Sequence, residues 1–110
     1  MIVASRSLTL QQQEGYVAVE VRIFAPQSDQ GHWSCAYEID WPEATRRFAA
    51  FGLDSMQALV LALNMIGSEI YTSEYHKAGA LSSGNSWKGY GFPVPQNLRD
   101  LLAGDDAKFL

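Results

Sequence analysis

Residues 54–75, DSMQALVLALNMIGSEIYTSEY, decide the fold, because they carry the chain's strongest helical pattern of apolar residues. Met56, Leu59, Val60, Leu63, Ile66 and Ile70 recur at spacings of three and four, which puts them on one face of a helix. Leu61, Ala62 and Met65 widen that stripe, while Gln57, Asn64, Ser68 and Thr72 form a polar back. Gly52 closes the preceding segment and Asp54 is a good N-cap, with Gln57 three residues on to complete a capping box. A helix over Asp54–Tyr75 is roughly 33 Å long at about 1.5 Å per residue, the width of a small domain. Its apolar run is interrupted by Asn64 and is too short to span a bilayer. Gly67 costs about 1 kcal/mol inside a helix relative to alanine. Its presence there predicts close packing against a neighbouring strand.

Upstream, the pattern has the period of strands. Ser5–Gln12 can form an edge strand, with Leu8 and Leu10 on one face. In Tyr16–Phe24 the residues Val17, Val19, Val21 and Ile23 share a β-branched face. His32–Trp41 alternates more strictly still, with Trp33, Cys35, Tyr37, Ile39 and Trp41 on one side and His32, Ser34, Ala36, Glu38 and Asp40 on the other. Thr45–Phe51 can return as a fourth strand, with Phe48 and Ala50 pointing inward in competition with Phe51. The segment Pro26–Gly31 has the composition of a loop. Short connections favour an antiparallel meander, so the expected fold is α+β, a four-stranded antiparallel meander with one long helix packed on it.

Downstream, residues 76–91 (HKAGALSSGNSWKGYG) form a glycine-rich loop, and structureless stretches of this length inside a compact domain tend to be functional or mobile. Phe92–Pro95 should be extended, since each proline disfavours helix in its predecessor. Gln96–Leu102 can make a short C-terminal helix buried through Leu98, Leu101 and Leu102, and the last residues, AGDDAKFL, have the composition of a frayed acidic tail.

Totals bound the function. At 110 residues the chain is long enough for one domain, residues 1–110, with its own core. The net charge of −4 comes without a basic block, since only Arg46 and Arg47 are adjacent, and this argues against nucleic acid as a partner. A single cysteine precludes an internal disulfide, and the N-terminal residues lack a charged region followed by an apolar core, so a cytoplasmic location is expected.

Few constellations carry chemistry. Cys35 lies mid-strand among tryptophans, the setting of a small buried hydrophobe rather than a nucleophile. Two histidines, His32 and His76, with one cysteine lack the number and spacing of a zinc site, and no metal or cofactor is expected. Glu38, Asp40 and His32 share one strand face and could serve acid–base or hard-metal chemistry, but such a row is also the ordinary solvent face of an antiparallel strand. The segment Gly84–Gly91 follows a helix instead of opening one, which excludes a phosphate-binding P-loop. Its aromatic content points elsewhere. Tyr75, His76, Trp87, Lys88 and Tyr90 cluster in sequence among small residues, a composition common in recognition surfaces, although Trp87 and Phe92 could equally pin the loop to the body.

Gly52-Leu53-Asp54-Ser55-Met56-Gln57-Ala58-Leu59, Met65-Ile66-Gly67, His76-Lys77 and Gly89-Tyr90-Gly91-Phe92-Pro93 resemble a family of small bacterial proteins with no assigned activity. The resemblance covers roughly residues 50–95 and implies a bacterial domain of unknown function, without transferring an active site. The order of strands before a helix opening Gly-x-Asp-Ser-x-x-Ala is also similar to HicB-type antitoxins. Those end their central strand in Pro-Asp before a glycine turn, whereas this chain has Asp40-Trp41-Pro42-Glu43. The expected function is a non-enzymatic protein-binding domain, antitoxin- or immunity-like, that occupies a partner's surface through the loop 76–92 and a free sheet edge. A small hydrolase or metal-dependent enzyme on Glu38, Asp40 and His32 is the alternative, and a self-associating domain whose exposed strand edge or aromatic loop builds a homodimer is the third.

Overall fold

The computed structural model describes residues 1–110. Strands β1 (Ile2–Gln12), β2 (Gly15–Phe24), β3 (Gln27–Asp29), β4 (His32–Asp40) and β5 (Thr45–Gly52) precede helix α1 (Ser55–Tyr71). After it come α2 (Glu74–Lys77), a two-residue β6 (Leu81–Ser82), a 3₁₀ helix over Gln96–Leu101 and α3 (Asp105–Phe109).

The sheet is antiparallel throughout and has six strands, not four. The expected meander survives inside it. β1 pairs β2, β2 pairs β4 and β4 pairs β5. The two extra strands come from segments that composition marks as loop. β3 pairs the first residues of β4 while β2 pairs the later ones, so β3 continues the line of β2 after the break at Ala25-Pro26. Proline cannot donate to the ladder, which is why the strand is interrupted there. A two-residue turn then joins β3 to β4, with Gln30 and Gly31 both at positive φ (49° and 89°), the conformation whose twist matches a tight hairpin. β6 adds Leu81 and Ser82 to the far side of β1.

One face of the sheet supplies the core. Leu8, Leu10, Val19, Val21, Ile23, Cys35, Tyr37, Ile39 and Ala50 are buried there. Trp33 and Trp41, expected on the same face, are only half-buried at the two ends of β4. Phe48 lies on this face opposite Tyr37 but stays 48% exposed, under the Arg46 guanidinium. Phe51 does not compete for the interior and packs its ring edge against His32 on the solvent side. Burial of the Cys35 thiol raises its pKa, and Sγ donates to the Phe24 carbonyl at 3.3 Å, so the side chain behaves as the small hydrophobe its position implies.

The capping prediction for α1 holds. Asp54 Oδ1 accepts from the Gln57 amide at 2.7 Å, and Gln57 Oε1 accepts from the Leu53 amide at 2.6 Å. The helix is shorter than its pattern, because Thr72 and Ser73 return their hydroxyls to the carbonyls of Ser68 and Ile70, and Ser73 then caps α2. Its buried line is Ala58, Ala62, Ile66, Gly67, Ile70 and Tyr71, whereas Met56 (69%) and Val60 (48%) are exposed. Ala58 and Ala62 are fully buried in this line, and their small side chains let the helix sit close, with Leu59 and Leu63 packed against the core beside them. At Gly67 the atoms nearest a Cβ position belong not to a strand, as expected, but to Pro93 and Val94. A Cβ there would stand 1.8 Å from the Pro93 carbonyl oxygen, so this glycine opens the passage through which the extended segment at Pro93–Val94 crosses α1. The short C-terminal helix is of 3₁₀ type, buried through Leu102 and partly through Leu98, while Leu101 is exposed. No helix of the chain is long and apolar enough to cross a membrane.

Candidate functional site

The centre of the C-terminal half is a carboxylate. Asp106, read from composition as part of a frayed tail, is fully buried, and it fixes the glycine-rich loop. Its Oδ1 accepts from the Trp87 indole N–H at 2.7 Å and from the Gly91 amide at 2.8 Å. Its Oδ2 accepts from the Tyr71 hydroxyl at 2.5 Å and from the Tyr90 amide at 2.8 Å. A buried charge is tolerated only when its lone pairs are satisfied, and here both oxygens are occupied twice. The loop comes close enough because residue 89 is glycine, at φ +108° and with a Cβ position 2.5 Å from the carboxyl carbon of Asp106. Neighbouring Asp105 holds the Lys88 backbone at both ends, accepting from its amide at 2.7 Å and donating its own amide to the Lys88 carbonyl at 2.6 Å.

On this floor the rings of Tyr71, His76 and Tyr90 pack edge to face, with centroids 4.8–5.4 Å apart. Burial and the Asp106 hydrogen bond raise the Tyr71 pKa. Burial, aided by the same carboxylate's charge, pushes Tyr90 up to about 12. Burial lowers the His76 pKa, favouring the neutral ring. The Tyr90 hydroxyl lies 2.5 Å from His76 Nδ1 and 3.4 Å from the Leu81 carbonyl, so the ring and the phenol are joined by a hydrogen bond whose direction follows the tautomer of His76. His76 Nε2 has no hydrogen-bond partner within the chain.

Outside this floor lies a cleft of about 290 Å³, lined by His76, Ser82, Asn85, Trp87 and Lys88 among others. The Asn85 side-chain oxygen is used by the loop, accepting from the Ser83 hydroxyl and the Trp87 amide, but its NH₂ group has no acceptor in the chain. No carboxylate lies within ion-pair distance of the Lys88 ammonium. His76, Asn85 and Lys88 thus line one cleft, and His76 Nε2, Asn85 Nδ2 and Lys88 Nζ have no hydrogen-bond or ion-pair partner within the chain.

Of the five residues expected to bind a partner, four gather here: His76, Trp87, Lys88 and Tyr90. Tyr90 is 4% exposed and serves the floor rather than the rim. Tyr75 turns away, stacking on Trp41 at 5.2 Å and donating its hydroxyl to Glu43 at 2.5 Å. The other constellation does not converge. Glu38 and Asp40 are bound by Arg22, at 3.0 Å to Glu38 and 2.6–2.8 Å to both oxygens of Asp40, with Arg47 and Thr45 completing the network. The guanidinium of Arg47, then that of Arg22, holds Glu38 below the usual carboxylate range, and Arg22 does the same for Asp40. His32 is at the opposite end of β4 against Phe51, roughly 26 Å from Asp40 at the strand's rise of about 3.3 Å per residue. No cluster of three or more His, Cys, Asp or Glu side chains suited to a metal ion is present.

The family model for a domain of unknown function, DUF6968, matches residues 4–94. The chain belongs to this family. No curated protein and no solved structure matches it, and the similarity to HicB-type antitoxins finds no support in these comparisons. Three of the stretches that carry the family resemblance meet in space, since Gly67 admits Pro93 and His76 contacts Tyr90. Asp106 itself lies beyond the matched residues. Sequence reasoning missed it, and the one available signal was an acidic pair placed before Phe109 in an otherwise short helical turn.

Proposed function

We propose that this DUF6968 domain is a non-enzymatic protein-binding module that acts, as antitoxin and immunity proteins do, by occupying a partner's surface. The contact is the cleft between α2 and the loop at 82–88, and it receives an acidic segment of the partner. The observation that supports this reading is the pair of donors Asn85 Nδ2 and Lys88 Nζ, left without acceptors beside the unpartnered His76 Nε2 on residues that line one cleft over the Asp106 floor. Preorganised donors on a fixed scaffold bind anionic groups without the entropic cost of ordering a loop. The enzymatic alternative has less behind it, because Arg22 occupies both carboxylates and His32 is remote from them.

A glutamate-rich peptide titrated into the labelled protein and followed through backbone amide shifts tests the proposal. Shifts should concentrate at residues 82–89, weaken with added salt, and disappear in a Lys88→Glu/Asn85→Asp variant. Asn85→Asp keeps the oxygen that Ser83 and Trp87 use, so the loop retains its fold. Equal shifts in the variant, or shifts confined to other surfaces, would refute the assignment.

A further inference from the structure

The two long edges of the sheet are treated differently. On the β1 side the edge is sealed. β6 pairs with Thr9 and Leu10, the Gln11 amide donates to the Ala80 carbonyl at 2.8 Å, and Arg6 reaches across to the carbonyls of Tyr90 and Gly91. A bulge between Ile2 and Ala4 disrupts the edge where it runs on. On the opposite side β5 pairs only with β4, in unbroken register from Trp33↔Gly52 to Asp40↔Thr45. Its outward edge has eight residues, no proline, no bulge and no covering segment. Such an edge is a ready template for another strand.

Charge is the usual guard on a bare edge, and here it is neutralised within the chain. Arg46 pairs with Glu69 and Arg47 with Glu38, so a second copy meets no uncompensated cation. Apolar side chains flank the edge on both faces, Phe48 at 48% and Leu61 at 40% exposed on the helix side and Phe51 at 61% on the other. We infer that β5 pairs antiparallel with β5 of a second copy, about a two-fold axis at Ala49. That register sets Phe48 across from the small Ala50 and Arg47 across from the face of Phe51, and it keeps the arginines of the two strands apart. A two-fold perpendicular to the sheet puts both copies of α1 on one face, where Leu61 and its symmetry mate approach. The partner is a second copy of this chain, and the inference is independent of the cleft at His76–Lys88. Edge pairing of this length buries little area, so the dimer is weak and depends on concentration.

Sedimentation equilibrium of the full chain from micromolar to submillimolar concentration should show a mass that doubles. In a Phe48→Lys/Phe51→Lys variant with native circular dichroism the mass should stay monomeric at every concentration. Ala49→Cys under mild oxidation should yield a covalent dimer, while the wild type, whose only cysteine is buried, should yield none under the same conditions. The Lys88→Glu/Asn85→Asp variant should dimerise like the wild type, so failure of the cleft and failure of the edge are distinguishable. A wild type that is monomeric throughout overturns the inference. So does a dimer that survives the double lysine variant and gives no Ala49→Cys cross-link.

Discussion

Gly67→Ala tests the crossing of α1 by the Pro93–Val94 segment most directly, because two effects of opposite sign compete. In a solvent-facing helix position the substitution would stabilise by about 1 kcal/mol through backbone entropy alone. Here the new methyl would sit 1.8 Å from the Pro93 carbonyl oxygen, 2.9 Å from its carbon and 3.2 Å from Val94 Cγ1. The first separation is short of ordinary contact by about 1.6 Å, and the atom it meets is backbone, not the end of a flexible side chain. The segment must therefore lift off the helix and take Phe92 and Val94, each 6% exposed, partly into water. Overpacking costs about 1–3 kcal/mol, and full exposure of one such side chain about 1.5–3 kcal/mol more. The net expectation is a loss of about 2–4 kcal/mol. For a domain near this size that lowers the melting temperature by about 10–20 °C. Thermal and urea unfolding of Gly67→Ala should be compared with Asn64→Ala, a polar-side substitution in the same helix without that contact. An unchanged or raised midpoint for Gly67→Ala would refute the crossing, and a loss of equal size in Asn64→Ala would remove its specificity.

Asp106→Ala should cost about 3–5 kcal/mol in urea unfolding, since it strands the Trp87, Tyr90 and Gly91 donors and the Tyr71 hydroxyl together. Trp87→Phe, which removes one of those donors, should cost about 1.5–3 kcal/mol, and a Trp87→Phe effect near zero would show that the indole does not support the floor. Glu38 and Asp40 have folded pKa values below their unfolded ones, so their contribution is present above about pH 4.3 and is lost as pH falls through the folded values. Melting temperature should accordingly fall below about pH 4 in the wild type and fall less steeply in Arg22→Gln, and parallel curves would contradict the network. His76 also has a depressed folded pKa, so stability should decline as pH drops below about 6.5, and His76→Gln should abolish that part of the profile.

Periodicity carried the β4 and β5 boundaries, the inward row of Cys35, Tyr37 and Ile39, and the Asp54–Gln57 cap. These are properties of neighbours in sequence, and alternation or a capping spacing records them directly. The helix face was misassigned by about one position because the stripe on α1 is wider than the surface it buries. Hydrophobicity ranks Met56 and Val60 above Ala58 and Ala62, yet close approach selects the smaller pair. The two added strands were illegible for a related reason. β3 and β6 have three and two residues, too few to show a period, and they are strands only because β4 and β1 offer edges to them.

The site illustrates the same limit more sharply. Trp87, Lys88, Tyr90 and His76 were legible as a group because they are close in sequence, but their roles are divided by Asp106, which lies 15 residues or more from each donor it accepts from. Nothing local in Asp105-Asp106 distinguishes a solvated acidic pair from a buried anchor. The distinction is made by the four groups that converge on it, and each of these is unremarkable alone. An aromatic loop tied down by such an anchor has its rings committed to the interior, as Tyr90 is. What it offers a partner is then the polar atoms left over: the far nitrogen of His76, the amide of Asn85 and the ammonium of Lys88. Under the proposed binding role, recognition is therefore expected to be electrostatic and sensitive to salt, with the aromatic residues supplying rigidity and these polar atoms supplying contact.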